Sequence, residues 1–135
     1  MNKKLRTAQI MAHQAHRFQK DKCGEPYIHH PMRVANSLDN PDLKIIAWLH
    51  DTVEDSDMTI DKINDIFGIN IALAVEILTH DKPVPYMEYI EKISGNPLAK
   101  TVKIADLQDN LDPNRQFEGR DDTKYTEALA YLLNK

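Results

Sequence analysis

The segment IIAWLHDTVED, residues 45–55, decides the fold of this 135-residue chain. Most of its residues are apolar, which is typical of a helix that is buried on nearly all of its surface. His50, Asp51 and Glu54 interrupt this apolar run, and in a continuous helix their spacing would place them on one face with Ala47. Burying three neighbouring ionisable groups is costly unless they are paired or bind a metal. The segment therefore predicts a central helix that carries a polar site.

Helical patterns recur on both sides of this segment, and no stretch shows the sustained alternation of a strand. Glycine, proline and asparagine mark the ends of the helical stretches. The helical stretches cover residues 4–19, 31–38, 41–53, 59–67, 70–79, 86–94, 97–111 and 121–133. The sequence therefore predicts one all-α domain over residues 1–135, a bundle of about eight helices.

The composition argues against several classes of protein. A net charge of −4 gives no overall attraction to nucleic acid or to an anionic membrane. The single cysteine, Cys23, excludes an intramolecular disulfide and a zinc site built on several thiolates. No stretch approaches the roughly 18 apolar residues of a membrane span, and the N-terminus lacks the apolar core of a signal peptide. We therefore expect a cytoplasmic protein without nucleic-acid or membrane partners.

Two further polar islands lie in apolar surroundings. Asp106 lies within VKIADLQDNL, residues 102–111, where helical spacing points Lys103 and Asn110 the same way. The segment PYIHHP, at the entry to a predicted helix, supplies His29 and His30, and the residues themselves do not choose between these two.

One of these histidines, together with His50, Asp51 and Asp106, would make a sensible site for a divalent metal. Imidazole nitrogens with carboxylate oxygens suit Mn²⁺, Fe²⁺ or Zn²⁺. Such an ion polarises a phosphoryl oxygen and lowers the pKa of a bound water. Neighbouring acids at Glu54 and Asp55 would orient that water or accept its proton.

The order of these residues resembles the H…HD…D ligand set of the HD superfamily of metal-dependent phosphohydrolases. Longer segments are more similar to the hydrolase domain of RelA/SpoT homologues and to the stand-alone small alarmone hydrolases. The matching segments are GEPYIHHPMRVA at 24–35, AWLHDTVEDSDMT at 47–59, LTHDK at 78–82 and VKIADLQDN at 102–110. The resemblance covers residues of about 8–112.

That family is all-α, is generally Mn²⁺-dependent, and removes the 3′-pyrophosphate from (p)ppGpp with a metal-activated water. The resemblance selects His30 over His29 and assigns Glu54 and Asp55 to activating the water. Fe²⁺, Co²⁺ and Zn²⁺ are alternative ions. The implied metal ligands are His30, His50, Asp51 and Asp106.

The resemblance also implies a set of substrate contacts. Gln19 aligns with an arginine thought to stack on guanine, and a glutamine has no cationic plane for a purine. An NADPH 2′-phosphatase or a nucleoside phosphate hydrolase is therefore an alternative, and a catalytically silent nucleotide-binding module is another. The implied substrate-binding residues are Gln19, Lys20, Asn110, Arg115, Lys124 and Tyr125.

Overall fold

A computed structural model describes residues 2–135, which form nine helices, and within this range the only β pairing is an isolated bridge between Lys20 and Pro26. The predicted all-α architecture is confirmed. The helices are α1 Lys3–Ala15, α2 His29–Asn36, α3 Pro41–Leu49, α4 Thr52–Asp55, α5 Ile60–Phe67, α6 Ile69–Leu78, α7 Tyr86–Ser94, α8 Pro97–Asn110 and α9 Thr123–Leu133.

Side-chain caps fix the starts of several helices. The Asn40 side chain accepts a hydrogen bond from the Asp42 amide at 2.8 Å, directly before the proline that opens α3. Asn96 caps α8 in the same way, again before a proline. These asparagines satisfy amides that have no partner in the first turn, and the prolines have no amide to satisfy. The starts of α3 and α8 were predicted on these signals.

Helix α3 lies at the centre of the bundle, where it packs against α1, α2, α6 and α8. Ile45, Ile46 and Leu49 are almost completely buried, and Trp48 is buried as its apolar neighbours suggest. The burial of one such aliphatic side chain stabilises the fold by roughly 1.5–3 kcal/mol. The core therefore holds the C-terminal end of α3 rigidly, and His50 follows directly.

The helix predicted over residues 41–53 is wrong in one respect, because it breaks after Leu49. The Thr52 hydroxyl donates to the Leu49 carbonyl at 2.8 Å, and His50 Nδ1 lies 2.5 Å from the Ala47 carbonyl oxygen. Such side-chain bonds compete with the backbone ladder of a helix. His50 and Asp51 therefore lie in a turn between α3 and α4, and not on one continuous helical face.

Two other predicted boundaries also move. Helix α1 ends at Ala15 and not at residue 19, and the chain then turns through residues 16–28. Helix α2 begins at His29, so Pro31 is its third residue and His30 lies in its first turn. Among residues 2–135, no helix is both long enough and apolar enough to span a bilayer.

Candidate active site

Three side chains from distant parts of the chain meet at the base of a cleft. His30 comes from α2, His50 from the turn after α3, and Asp106 from α8, and all three are buried. Asp106 Oδ1 lies 2.6 Å from His30 Nε2 and 3.4 Å from His50 Nε2. One ligand atom from each residue lies within 4.8 Å of the others, so the three can hold one metal ion.

Asp51 lies at the edge of this cluster. Its Oδ2 is 3.1 Å from His50 Nε2, and the same oxygen accepts a hydrogen bond from the Tyr27 hydroxyl. Burial opposes ionisation of Asp51, but the neighbouring His50 outweighs it and lowers the pKa of the carboxyl group. Asp51 lies outside the group of three, but its oxygen is close enough to His50 Nε2 to be a candidate fourth ligand atom.

The hydrogen bonds of His50 show that the site fits a cation. A carbonyl oxygen can only accept, so His50 Nδ1 carries the hydrogen that is donated to Ala47. The other ring nitrogen, Nε2, is buried without a hydrogen-bond partner and faces the Asp51 and Asp106 oxygens. Burial lowers the pKa of His50, but these two carboxylates outweigh it and raise that pKa, so the three groups together attract a positive charge, either a proton or a metal ion. A divalent ion held by imidazole and carboxylate groups satisfies all of these atoms.

Lys103 neutralises the other side of Asp106. Its buried ammonium group lies 2.9 Å from Asp106 Oδ2, and 5.3 Å from the centre of the Tyr89 ring. Burial disfavours the Asp106 carboxylate, but Lys103 and His50 outweigh it and hold its pKa well below the usual range. The two oxygens of Asp106 therefore have separate partners, because Oδ2 binds Lys103 and Oδ1 faces the histidines.

Glu54 and Asp55 follow on the short helix α4. Glu54 lines the cleft, and its Oε1 accepts a hydrogen bond from the His80 amide at 2.5 Å. Desolvation raises the pKa of both carboxyl groups, and the nearby charge of Asp51 raises both further. A carboxylate with a raised pKa is a better proton acceptor near neutral pH.

Gln19 is engaged in a chain of polar contacts. Its amide nitrogen donates to Asp55 Oδ2 at 3.2 Å, and its amide oxygen lies 2.8 Å from His16 Nδ1. His16, which was not among the predicted site residues, is only 2% exposed. Its position eight residues after Ala8, on the buried stripe of α1 that includes Ala12, was the signal that could have found it.

The cleft has a volume of about 610 Å³ and extends from His30, Asp51 and Asp106 to α9. Lys124 lies 4.9 Å from the centre of the Tyr86 ring and 5.3 Å from that of Tyr125. Asn110 donates to Asp106 Oδ1 at 3.5 Å. All six predicted substrate-binding side chains line this cleft: Gln19, Lys20, Asn110, Arg115, Lys124 and Tyr125.

The chain was compared with protein families, curated proteins and solved structures. No protein-family profile matches it. Over 125 residues it is 42% identical to the mouse guanosine-3′,5′-bis(diphosphate) 3′-pyrophosphohydrolase MESH1, with 82% of this chain and 69% of that protein aligned. Human MESH1 is also 42% identical, over 71% of this chain and 60% of its own length. The Aquifex aeolicus guanosine-3′,5′-bis(diphosphate) 3′-pyrophosphohydrolase is 34% identical over 79% of this chain and 17% of its own length.

A solved structure of a metazoan orthologue of SpoT, a protein that hydrolyses ppGpp and acts in starvation responses, has the same fold. It superposes with a TM-score of 0.80 at 25% identity, and the match covers 98% of this chain and 86% of the other. The shared HD-type helical bundle extends over nearly the whole chain. On the strength of these matches, the chain belongs to the family of guanosine-3′,5′-bis(diphosphate) 3′-pyrophosphohydrolases.

Proposed function

We propose that this protein hydrolyses the 3′-pyrophosphate of (p)ppGpp, releasing pyrophosphate. The observation that carries the proposal is the meeting of His30, His50 and Asp106 at the base of a cleft lined by lysine and tyrosine side chains. The relatives named for this reaction support the same substrate.

The metal ligands of the proposed site are His30, His50, Asp51 and Asp106, and manganese is the ion that we propose. When bound, the ion polarises the reacting phosphate and lowers the pKa of a water molecule. Imidazole and carboxylate ligands suit Mn²⁺, and they also accept Fe²⁺, Co²⁺ or Zn²⁺.

In the proposed mechanism, Glu54 and Asp55 orient the attacking water and take its proton. Their raised pKa values support this role, since a carboxylate of ordinary pKa accepts a proton weakly near neutrality. Gln19 holds Asp55 in place through its amide group. The attack forms a bond from the water oxygen to phosphorus and breaks the bond from phosphorus to the 3′ oxygen, which takes up a proton as it leaves and becomes the 3′-hydroxyl of GDP.

The cations of the cleft would neutralise the substrate's phosphates. Lys124 lies over two tyrosine rings that restrict its position, and Lys20 and Arg115 line the same cleft. Asn110, one turn after Asp106, is placed near the sugar in this proposal. The nucleotide substrate and the exposed, unpaired Cys23 both suit a cytoplasmic location.

The test is a product assay with purified protein. We expect ppGpp to give GDP and pyrophosphate with Mn²⁺, and to give neither with a chelator. His30→Ala should lose this activity, while His29→Ala is the matched control, because the His29 side chain makes no hydrogen bond among the described residues. Absence of turnover with Mn²⁺ would contradict the proposal.

A second candidate is hydrolysis of another phosphorylated nucleotide on the same site. The observation that favours it is the state of Gln19, whose amide group contacts Asp55 and His16. A glutamine held in this way at the predicted base-stacking position offers no cationic plane to guanine. NADPH and a nucleoside phosphate panel should therefore be assayed beside ppGpp. Turnover of NADPH without turnover of ppGpp would support this second candidate.

A further inference from the structure

Asp109 lies beside the candidate metal site but does not point its carboxylate into it. It is on α8, three residues after Asp106, and its side chain is only 12% exposed. Its Oδ2 lies 2.6 Å from His30 Nδ1, on the side of the imidazole ring opposite to Nε2 and Asp106. The His30 ring is therefore held between two carboxylates of the same helix.

Two arginines also bind the Asp109 carboxylate oxygens. Arg33, one turn after His30 on α2, donates from Nε to Oδ1 at 2.9 Å and from Nη2 to Oδ2 at 3.1 Å. Arg115 Nη2 lies 3.1 Å from Oδ1. The two arginines thus make three contacts with the carboxylate, as expected for an anion, on the side away from the metal site.

These contacts determine which nitrogen of His30 is available. An ionised carboxylate can only accept hydrogen bonds, so the contact with Asp109 requires the hydrogen on His30 Nδ1. On the other side of the ring, Nε2 lies 2.6 Å from Asp106 Oδ1, and the hydrogen between these two atoms is the one that a metal ion would replace. With the Nδ1 hydrogen held by Asp109, Nε2 is the nitrogen whose lone pair would then bind the ion. A histidine that binds a metal is commonly oriented in this way by a carboxylate on its other nitrogen.

We infer that Asp109 is a positioning residue for metal binding. It fixes the tautomer and the ring orientation of His30, and Arg33 and Arg115 keep the Asp109 carboxylate from acting as a metal ligand itself. The inference rests on the proposed metal-dependent function. It assigns a role to a side chain that sequence analysis had not included among the site residues, and the three-residue spacing from Asp106 was the signal that could have indicated it.

The test measures metal affinity directly, by electron paramagnetic resonance of free Mn²⁺ during titration of the full chain. Asp109→Ala should weaken Mn²⁺ binding by roughly 10–100-fold, the usual effect of losing such a partner. At saturating Mn²⁺, kcat should fall much less than the affinity. Asp109→Asn keeps an oxygen that can accept the Nδ1 hydrogen, so its affinity should lie between those of the wild type and the alanine variant.

Asp65→Ala is the matched control. Asp65 is exposed on α5, which packs against α6, so its removal should leave the Mn²⁺ affinity unchanged. Long-range ¹H–¹⁵N NMR of the metal-free protein gives a second measurement, in which Asp109→Asn should reduce the fraction of His30 with its hydrogen on Nδ1. This conservative variant keeps the test decisive if the alanine variant does not fold.

Wild-type Mn²⁺ affinity in folded Asp109→Ala, or wild-type affinity and tautomer in Asp109→Asn, would overturn the inference. The measured metal affinity does not depend on whether ppGpp is the substrate, so the two proposals can fail separately. Weakened metal binding in a protein that leaves ppGpp intact would support the role of Asp109 and reject the proposed substrate. Hydrolysis of ppGpp with unchanged metal affinity in the variants would support the proposed substrate and reject the role of Asp109.

Discussion

His50 Nδ1 lies 2.5 Å from the carbonyl oxygen of Ala47, and this contact determines the face that the imidazole ring presents to the cleft. The same contact helps to end α3, so one side-chain bond both breaks the helix and directs Nε2 toward Asp51 and Asp106. Local backbone structure and ligand geometry are therefore set together at this position.

The first prediction concerns the ligands at this turn. His50→Ala and Asp51→Ala should each lower ppGpp hydrolysis at least about a thousandfold, because the polarisation supplied by a metal is worth several kcal/mol in the transition state. Both variants should remain folded, because the aliphatic core around α3 keeps its contacts, although the loss of these buried groups should lower the free energy of unfolding. Product assays with Mn²⁺, beside thermal unfolding, check both statements, and retention of full activity in either variant would exclude its role as a ligand.

The second prediction concerns the buried pair of Lys103 and Asp106. Lys103→Met should lower the free energy of unfolding of the metal-free protein by about 3 kcal/mol, because it leaves a buried carboxylate without its ammonium partner. Added Mn²⁺ should recover part of this loss. Urea denaturation with and without the ion measures the effect, and Lys92→Met, on the exposed surface of α7, is the control. Unchanged stability in Lys103→Met would show that the histidines alone compensate Asp106.

The third prediction follows from the raised pKa of Glu54. The folded state binds the Glu54 proton more tightly than the unfolded state does, so ionisation of Glu54 reduces stability as pH rises through the folded-state pKa. Glu54→Gln should therefore abolish hydrolysis but raise Tm slightly, by up to about 2 °C at pH 8. This gain should disappear below the ordinary pKa of a glutamate, where wild-type Glu54 is already protonated.

Thermal unfolding of chelator-treated protein between pH 4 and pH 8 measures this difference. Glu76→Gln on the exposed side of α6 provides a matched control, and its Tm difference from the wild type should not vary with pH. A Glu54→Gln protein that is less stable than the wild type at pH 8 would contradict the prediction.

The fourth prediction separates two roles for Gln19. If it positions Asp55, as its 3.2 Å hydrogen bond indicates, Gln19→Leu should lower kcat by roughly tenfold or more and leave KM within about twofold. If it contacts the base, KM should rise while kcat is retained. Steady-state kinetics distinguish the two outcomes, and Gln14→Leu, an exposed position on α1, is the control for the substitution itself.

Much of the fold could be predicted from local sequence signals. The starts of α3 and α8 follow from asparagine and proline, and the ends of α5 and α7 from glycine, because these residues act within one turn of the chain. The break after Leu49 could not be predicted in this way. It depends on where the His50 and Thr52 side chains turn back on the backbone, and helical spacing carries no information about that choice.

The proposed ligands could be named from the sequence, but their supporting residues could not. Asp106 attracted attention because an acid in an apolar helix is unusual, whereas Asp109 follows where the same segment becomes more polar, in LQDN. The three-residue spacing places Asp109 near Asp106, but the contact of Asp109 with His30 and Arg33 depends on the packing of α2 against α8, between segments far apart in the chain. Only the three-dimensional arrangement shows that contact.

The wide separation of the proposed metal ligands also bears on how the protein is made. His30 and Asp106 are 76 positions apart, so at roughly 5–20 residues per second about 4 to 15 seconds pass between their incorporation. Until α8 has left the ribosome, the two histidines have no Asp106 to complete the proposed site and no Asp109 to orient His30. A chain that ends before α8 is therefore expected to bind the ion poorly, so that metal loading begins only after α8 has been synthesised and has packed against α2 and α3.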